Sequence, residues 1–453
     1  WSMLPVNSTA IQQSLTKRLS QGSFWVLIGK LLTSCLGFVV TLLLAQLLTP
    51  KEVGQYFLLF SLVSIITTLA LFGLPTTVVK LISESLALNL PRKAKYIVKL
   101  ICYISAINIS FTLVIIAIFF TFITEHLAFA PEVLVIILAV AWLTLFSFQQ
   151  ILAEIYRGYQ KLIHATLFSG LFTSMATSLT LFIFWLINLD TELKDVMLIT
   201  VVSILISVLV SASILWKKLN PIPEQKENIT IASISSVAWP IGVTSLLLLL
   251  ISQADLWLVG IFLSSEDVAI YGMMSRLIIF SSLPLLVVNS VISPIIPELF
   301  SLSKLKILEK TVRLSATVAI LPSVLFFIII ISVGEELLSL FWGESYIEGV
   351  EVLIILSTGQ LVNVMAGSCG LTLMHTGHQK LMMYITTITG VLTILLSLKL
   401  VHSDGINGVA MASATGLITQ NLLMLCATRY KVGIWTFIHP TLLIREITQK
   451  HAN

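Results

Sequence analysis

The chain has 453 residues, of which 57% are hydrophobic and only 11% charged. Soluble domains carry about 25% charged residues, so this composition, with a mean hydropathy of +1.02, excludes an ordinary soluble enzyme and points to a membrane. The formal net charge of +4 excludes little by itself, because its sign is segregated along the sequence.

Twelve apolar spans follow one another: Phe24–Leu47, Gly54–Leu74, Tyr96–Ile123, Val133–Ala153, Ile163–Ile187, Val196–Trp216, Ile234–Leu263, Ala269–Ile292, Val312–Val333, Val352–Met374, Leu381–Val401 and Ile406–Ala427. At about 1.5 Å per residue, each crosses the roughly 30 Å of a bilayer's hydrocarbon. The fold class expected is an all-α polytopic membrane protein. No cleavable signal pattern is read at the start, and Trp1-Ser2 before Met3 reads as an added dipeptide.

An even number of spans puts both termini on one side. With the N-terminus inside, 21 of the 26 Lys and Arg fall on cytoplasmic segments, with clusters at Lys80–Lys99, Lys217–Lys226 and Lys304–Arg313. The outer side keeps Lys51, Lys194 and Lys399, and Glu335, Glu336, Glu344, Glu348 and Glu351 gather in one outer loop. This positive-inside bias predicts cytoplasmic termini. The longest outer loop is expected near 334–351, and the longest inner ones near 80–95, 217–232 and 298–311. None could house a catalytic or nucleotide-binding domain. Gly29-Lys30 lacks the spacing of a phosphate-binding loop, so internal ATP use is not expected. Cys35, Cys102, Cys369 and Cys426 lie in apolar runs and read as packing residues. His375 and His378 sit together near a helix end without further ligands, which does not argue for a metal. Pro75, Pro240, Pro284, Pro294 and Pro322 are candidate bend points.

The sequence repeats itself. Residues 50–56 (PKEVGQY) follow the first span and 265–271 (SEDVAIY) the seventh, at an offset of 215. Residues 158–161 (GYQK) and 377–380 (GHQK) follow spans four and ten, at an offset of 219. Six spans per half preserve orientation, so the expected architecture is two six-helix lobes around a central cavity. The expected boundaries are an N-terminal lobe 1–219, a polar, proline-bearing linker 220–231 and a C-terminal lobe 232–453.

Residues 43–62 (LLAQLLTPKEVGQYFLLFSL), 254–277 (ADLWLVGIFLSSEDVAIYGMMSRL), 341–357 (FWGESYIEGVEVLIILS), 377–380 (GHQK) and 404–417 (DGINGVAMASATGL) resemble, in order, the lipid-linked oligosaccharide flippases. These form the polysaccharide-export branch of the multidrug/oligosaccharidyl-lipid/polysaccharide exporter superfamily. The resemblance implies two six-helix lobes opening alternately to each side, with cationic cavity residues engaging the lipid diphosphate or acidic sugars. The drug/cation antiporters share the twelve-helix plan and are the closest rival.

Asp255 and Arg276 are ionisable residues inside the seventh and eighth spans. A charge at bilayer depth costs about 2.5–3.5 kcal/mol even on insertion scales, so each needs a partner or a wet cavity. One reading is an Asp255–Arg276 ion pair stapling the hairpin. The other has Arg276 holding an anionic group bidentately, with Asp255 tuning or releasing it. Lys30 either snorkels to headgroups or lines a cavity, where Lys30, Ser34, Gly37 and Thr41 make one small and polar stripe; such a stripe equally suits tight helix packing. Gln360, Asn363, Gly367 and Gly370 make a comparable face in span ten. Gln46, Gln149, Asn289 and Asn421 are interhelical hydrogen-bonding groups or sugar contacts. Lys399 snorkels or joins the cavity. Glu154 and Arg157 form a surface pair, with gating as the second reading.

The function expected is a flippase carrying polyprenyl-diphosphate-linked oligosaccharide (an O-antigen, capsule or exopolysaccharide unit) across a bacterial inner membrane. The chain is expected to be no enzyme and to need no cofactor, with H⁺ or Na⁺ as the candidate coupling ion through Asp255. Membrane lipids and the polysaccharide polymerase machinery are the candidate partners, and nucleic acid is not expected. The alternatives are a cation-coupled multidrug exporter and, further off, a membrane glycosyltransferase or ligase, against which the short outer loops argue.

Overall fold

The computed structural model describes residues 8–118, 132–221, 223, 230–293 and 295–439, with the side chains of 8–27, 87 and 240 left aside. The end of the third predicted span (119–123), most of the linker (222 and 224–229), the bend expected at Pro294 and both termini lie outside the described residues.

Helices dominate. They are α1 Ser8–Leu47, α2 Pro50–Leu71, α3 Leu74–Ala87, α4 Pro91–Ile118, α5 Val133–Gly158 and α6 Leu162–Thr166. A π-helical turn, Leu167–Leu171, leads into α7 Phe172–Leu186, followed by α8 Leu193–Leu219, α9 Ile231–Phe262, α10 Ser265–Leu277, α11 Ile279–Ile292 and α12 Ile295–Ser301. The chain ends with α13 Leu305–Trp342, α14 Gly349–Ala366, α15 Cys369–His375 and α16 Gln379–Val432.

Among the described residues, eleven stretches are long and apolar enough to cross a membrane, and the last holds two passes. As one rod, the 54 residues of α16 would run about 80 Å. Gly405 breaks it, at φ 56° and ψ −134°, a conformation open to glycine but not to residues with a Cβ. The arms then double back. A Cβ on Gly408 would fall 2.3 Å from the Leu400 carbonyl oxygen, and one on Gly416 would fall 1.8 Å from Thr393 Oγ1. Thr389 Oγ1 donates to Gln420 Oε1 at 3.3 Å. All three pairs are centred on residues 404–405, so the arms are antiparallel, which gives twelve passes.

Several predicted loops are helical. α13 runs on to Trp342, with Pro322 inside it and a break in its helical φ/ψ at Val333 (φ −141°), so the 334–351 loop shrinks to the turn between α13 and α14. α3 with the start of α4, and α12 with the start of α13, fill most of the inner segments at 80–95 and 298–311. Hydropathy marks where the membrane ends, whereas backbone hydrogen bonding carries the helix past it.

Two compact units emerge: Trp1–Val40 with Leu62–Leu189 and Lys194–Leu247, and Thr41–Ser61 with Asp190–Leu193 and Leu248–Asn453. In the first, Ile82, Ile97, Ile101, Ile151, Ile155 and Tyr156 form a buried core, and Phe72 packs on Trp239 with ring centroids 5.1 Å apart. In the second, the sequence repeat becomes visible as matching caps. Glu52 Oε2 accepts from the Thr49 amide (3.0 Å) and hydroxyl (2.7 Å). Asp267 Oδ2 does the same for Ser264, at 3.0 and 2.7 Å. These are capping boxes 215 residues apart. The helix starts press together through small residues: a Cβ on Gly54 would fall 1.8 Å from the Ser265 carbonyl oxygen, and one on Gly272 would fall 2.7 Å from the Phe57 ring.

Gly54→Ala should therefore destabilise the protein by about 1–3 kcal/mol, the usual cost of overpacking, since its Cβ meets backbone. Gly37→Ala, which meets nothing within 4 Å, should change stability by less than about 0.5 kcal/mol. Thermal unfolding in detergent measures both.

Candidate functional site

Asp255 and Arg276 do not pair. Tyr271 Oη donates to Asp255 Oδ2 at 3.2 Å and Ser413 Oγ donates to the same oxygen at 2.6 Å. Arg276 instead lies over the Phe60 ring, its guanidinium carbon 5.0 Å from the centroid, and among the described residues no carboxylate lies within ion-pairing distance of it. Helix geometry explains the separation. In an antiparallel hairpin turning at Leu263-Ser264, the residue level with Asp255 is Gly272, with Tyr271 beside it. Arg276 is five residues beyond Tyr271, about 140° round the helix and 7.5 Å along it. Tyr271 thus serves α9 while Arg276 faces α2, where Trp257 Nε1 also donates to Ser61 Oγ at 2.9 Å. The site pairs a carboxylate held by two hydroxyls with a cation held on an aromatic face.

A second polar group gathers where α14 breaks into α15. Asn363 Nδ2 donates to Gln360 Oε1 at 3.0 Å, Ser368 Oγ donates to Asn289 Oδ1, and Ser293 Oγ meets His375 Nε2 at 2.9 Å. Three of the predicted site residues are bonded in two separate pairs near this break: Gln360 with Asn363, and Asn289 with Ser368.

The others are dispersed. Lys30 and Lys399 are exposed, with no hydrogen bond or ion pair among the described residues. Lys30 lies in the first unit and Arg276 in the second. Gln46 Nε2 donates to the Phe341 carbonyl at 2.9 Å, satisfying an acceptor at the end of α13. Arg157 Nη1 reaches both oxygens of Glu154, at 2.7 and 2.9 Å, a local pair within one helix. Gln149, 2% exposed, donates to Thr173 and Ser207. Just past α5, burial pushes the Tyr159 phenol up to about 12.

Sequence reading missed Tyr271 and Ser413 as partners of Asp255. Level-matching across the hairpin comes within one residue of Tyr271; Ser413 comes from 158 residues away and leaves no local signal. It also missed a cavity of about 720 Å³ beside Leu263, lined by Asp267, Glu335, Glu348, Glu351 and Asp404. Asn407 Nδ2 donates there to Glu351 at 2.6 Å. Five carboxylates make this mouth hostile to anions.

Among the described residues, helical passes carrying a few isolated charges define a polytopic membrane protein. The polysaccharide biosynthesis protein family model matches residues 19–300, and the MatE model matches residues 240–398. The chain belongs to the polysaccharide biosynthesis protein family. A search of the curated proteins found no match. Among solved structures, an inward-facing multidrug resistance MATE family transporter is similar at TM-score 0.73 and 14% identity, covering 88% of this chain and 94% of that one. The lipid II flippase MurJ, in an inward closed conformation, is similar at TM-score 0.68 and 14% identity, covering 92% and 88%. A MOP superfamily transporter from Pyrococcus furiosus gives 0.59 at 13% identity, covering 92% and 96%. At such identities the likeness shows the fold.

Ser413→Ala should destabilise the protein by about 1.5–3 kcal/mol, the range for a hydrogen bond to a charged group. Asp255→Asn in the Ser413→Ala background should recover part of that loss. Chemical or thermal unfolding of the single and double variants in detergent measures the coupling.

Proposed function

We propose that this transporter is a flippase for a polyprenyl-diphosphate-linked oligosaccharide, an O-antigen, capsule or exopolysaccharide unit. It moves the unit from the inner to the outer leaflet of a bacterial inner membrane by alternating access. Arg276 is the observation that carries this reading. It is a guanidinium within a membrane helix, without a carboxylate partner among the described residues and steadied by Phe60. Its planar donors suit a diphosphate. Membership of the polysaccharide biosynthesis family supports the substrate class, as does the likeness in fold to a lipid II flippase. The polar cluster of Gln360, Asn363, Asn289 and Ser368 offers hydroxyl and amide contacts for sugars.

The positive-inside distribution supports cytoplasmic termini. An inside-negative potential then favours outward movement of the anionic head by about 2.3 kcal/mol per charge per 100 mV when the charge crosses the whole field. Asp255, with its two hydroxyl donors, is the coupling group for H⁺ or Na⁺ in this scheme. The polymerase machinery that elongates such units is the expected partner on the far side. A cation-coupled multidrug exporter is the second reading, favoured by the MatE match at residues 240–398 and by the acidic cavity beside Leu263.

In proteoliposomes loaded with a fluorescent polyprenyl-diphosphate oligosaccharide, active protein should expose the label to an outside quencher. Arg276→Ala should slow this by about 30–150-fold, the loss of a charge-assisted contact of about 2–3 kcal/mol, and Arg276→Lys should keep part of it. Asp255→Asn should remove the dependence on an ion gradient. Quenching unchanged by wild-type protein, together with gradient-driven uptake of a lipophilic cation, would establish the exporter instead.

A further inference from the structure

After α16 the chain does not leave the protein. Gly433, at φ 84°, turns it back, and residues 434–439 run extended into the second unit, with Ile434 1% and Thr436 0% exposed. Their destination is the break in the tenth pass. Gly367, at φ 71° and ψ −151°, ends α14 and strands the last four carbonyls of that helix. The Gly367 amide reaches the oxygens of Asn363 (3.2 Å) and Val364 (3.1 Å). The remaining two are taken by the returning segment: the Ile438 amide donates to Met365 O at 3.0 Å, and Thr436 Oγ1 donates to Ala366 O at 2.8 Å. The fit is close enough that a Cβ on Gly367 would fall 2.5 Å from the Thr436 carbonyl oxygen.

The other edge of the segment is tied to α13. The His439 amide donates to Thr317 Oγ1 at 2.9 Å. Arg313 Nε donates to the Phe437 carbonyl at 3.3 Å, and its guanidinium lies 4.4 Å from the Phe437 ring centroid. Glu309 holds Arg313 in place at 3.2 Å.

We propose that residues 434–439 are a strap that holds the tenth pass in its broken form, with Thr436 and Arg313 as positioning residues for the polar cluster at the break. Gln360 and Asn363 lie just before Gly367 and Ser368 just after it, so the angle of the break sets the spacing of the groups offered to substrate. With the strap seated, two carbonyls that water cannot easily reach are satisfied. With it withdrawn, those carbonyls are stranded and the last turn of α14 opens until they find another partner. The strap thus makes the bend of this pass a two-state element, and its consequence for transport rests on the flippase reading above.

The test is amide hydrogen exchange on the full chain in lipid nanodiscs without substrate, following peptides across 360–376, with 147–157 as a fold control. Thr436→Val keeps the shape and loses the hydroxyl. Exchange at the break should rise about tenfold, as expected for one lost hydrogen bond, and Thr436→Ser should restore it. Arg313→Gln should raise exchange in the same peptides, and it supplies the reading if Thr436→Val does not fold. Unchanged exchange in the folded variants, or Thr436→Ser behaving like Thr436→Val, would overturn the strap. Faster exchange with full transport would overturn the positioning role. Exchange behaving as expected in a wild-type protein that flips no lipid-linked sugar would overturn the flippase reading alone.

Discussion

A backbone N–H or C=O left unpaired in hydrocarbon has no water to turn to, and several irregular points among the described residues are arranged around that constraint. Where the helices run unbroken, satisfaction is internal and automatic. At the helix starts, Thr49 with Glu52 and Ser264 with Asp267 supply it from side chains. At Gly405 the chain reverses with its arms packed closely on one another, and at Gly367 a segment from nearly seventy residues away completes what the broken helix cannot. Each irregular point is therefore also a point where the sequence is least free: glycine for the turn, and a specific polar partner for the stranded group.

The charges obey a related rule. Desolvation makes an isolated ion expensive, and the second unit meets that cost in two different ways. Asp255 recruits hydroxyls from its own hairpin and from α16, while Arg276 rests its guanidinium on the face of Phe60. Neither arrangement consumes the other charge. A direct ion pair would have neutralised both and left the pass with nothing to offer an anion. The separation leaves the carboxylate with its hydroxyl donors and the guanidinium with its aromatic face, each satisfied without the other.

How much was legible in advance follows the same physics. Hydropathy located the passes because burial in lipid is a property of composition over about 20 residues, and the repeated capping box was visible because it is local. Span eleven and span twelve were separable by the polar 402–405 stretch even though their helical backbone is nearly continuous. Loop lengths were misjudged because helices outrun the membrane. Whether Asp255 and Arg276 pair stayed open because residue counts measure depth, whereas the azimuth round the helix decides contact.

By itself, the sequence determined that this is a helical membrane protein of about twelve passes with a repeated capping box and a few ionisable residues at depth, since each of these is written in short-range composition and spacing. Only the tertiary structure decided which partners those residues take. Ser413 on Asp255, Phe60 beneath Arg276 and Thr436 at the Gly367 break come from chain-distant segments. Their meeting is set by helix azimuth and by close packing through glycine, neither of which a linear pattern encodes.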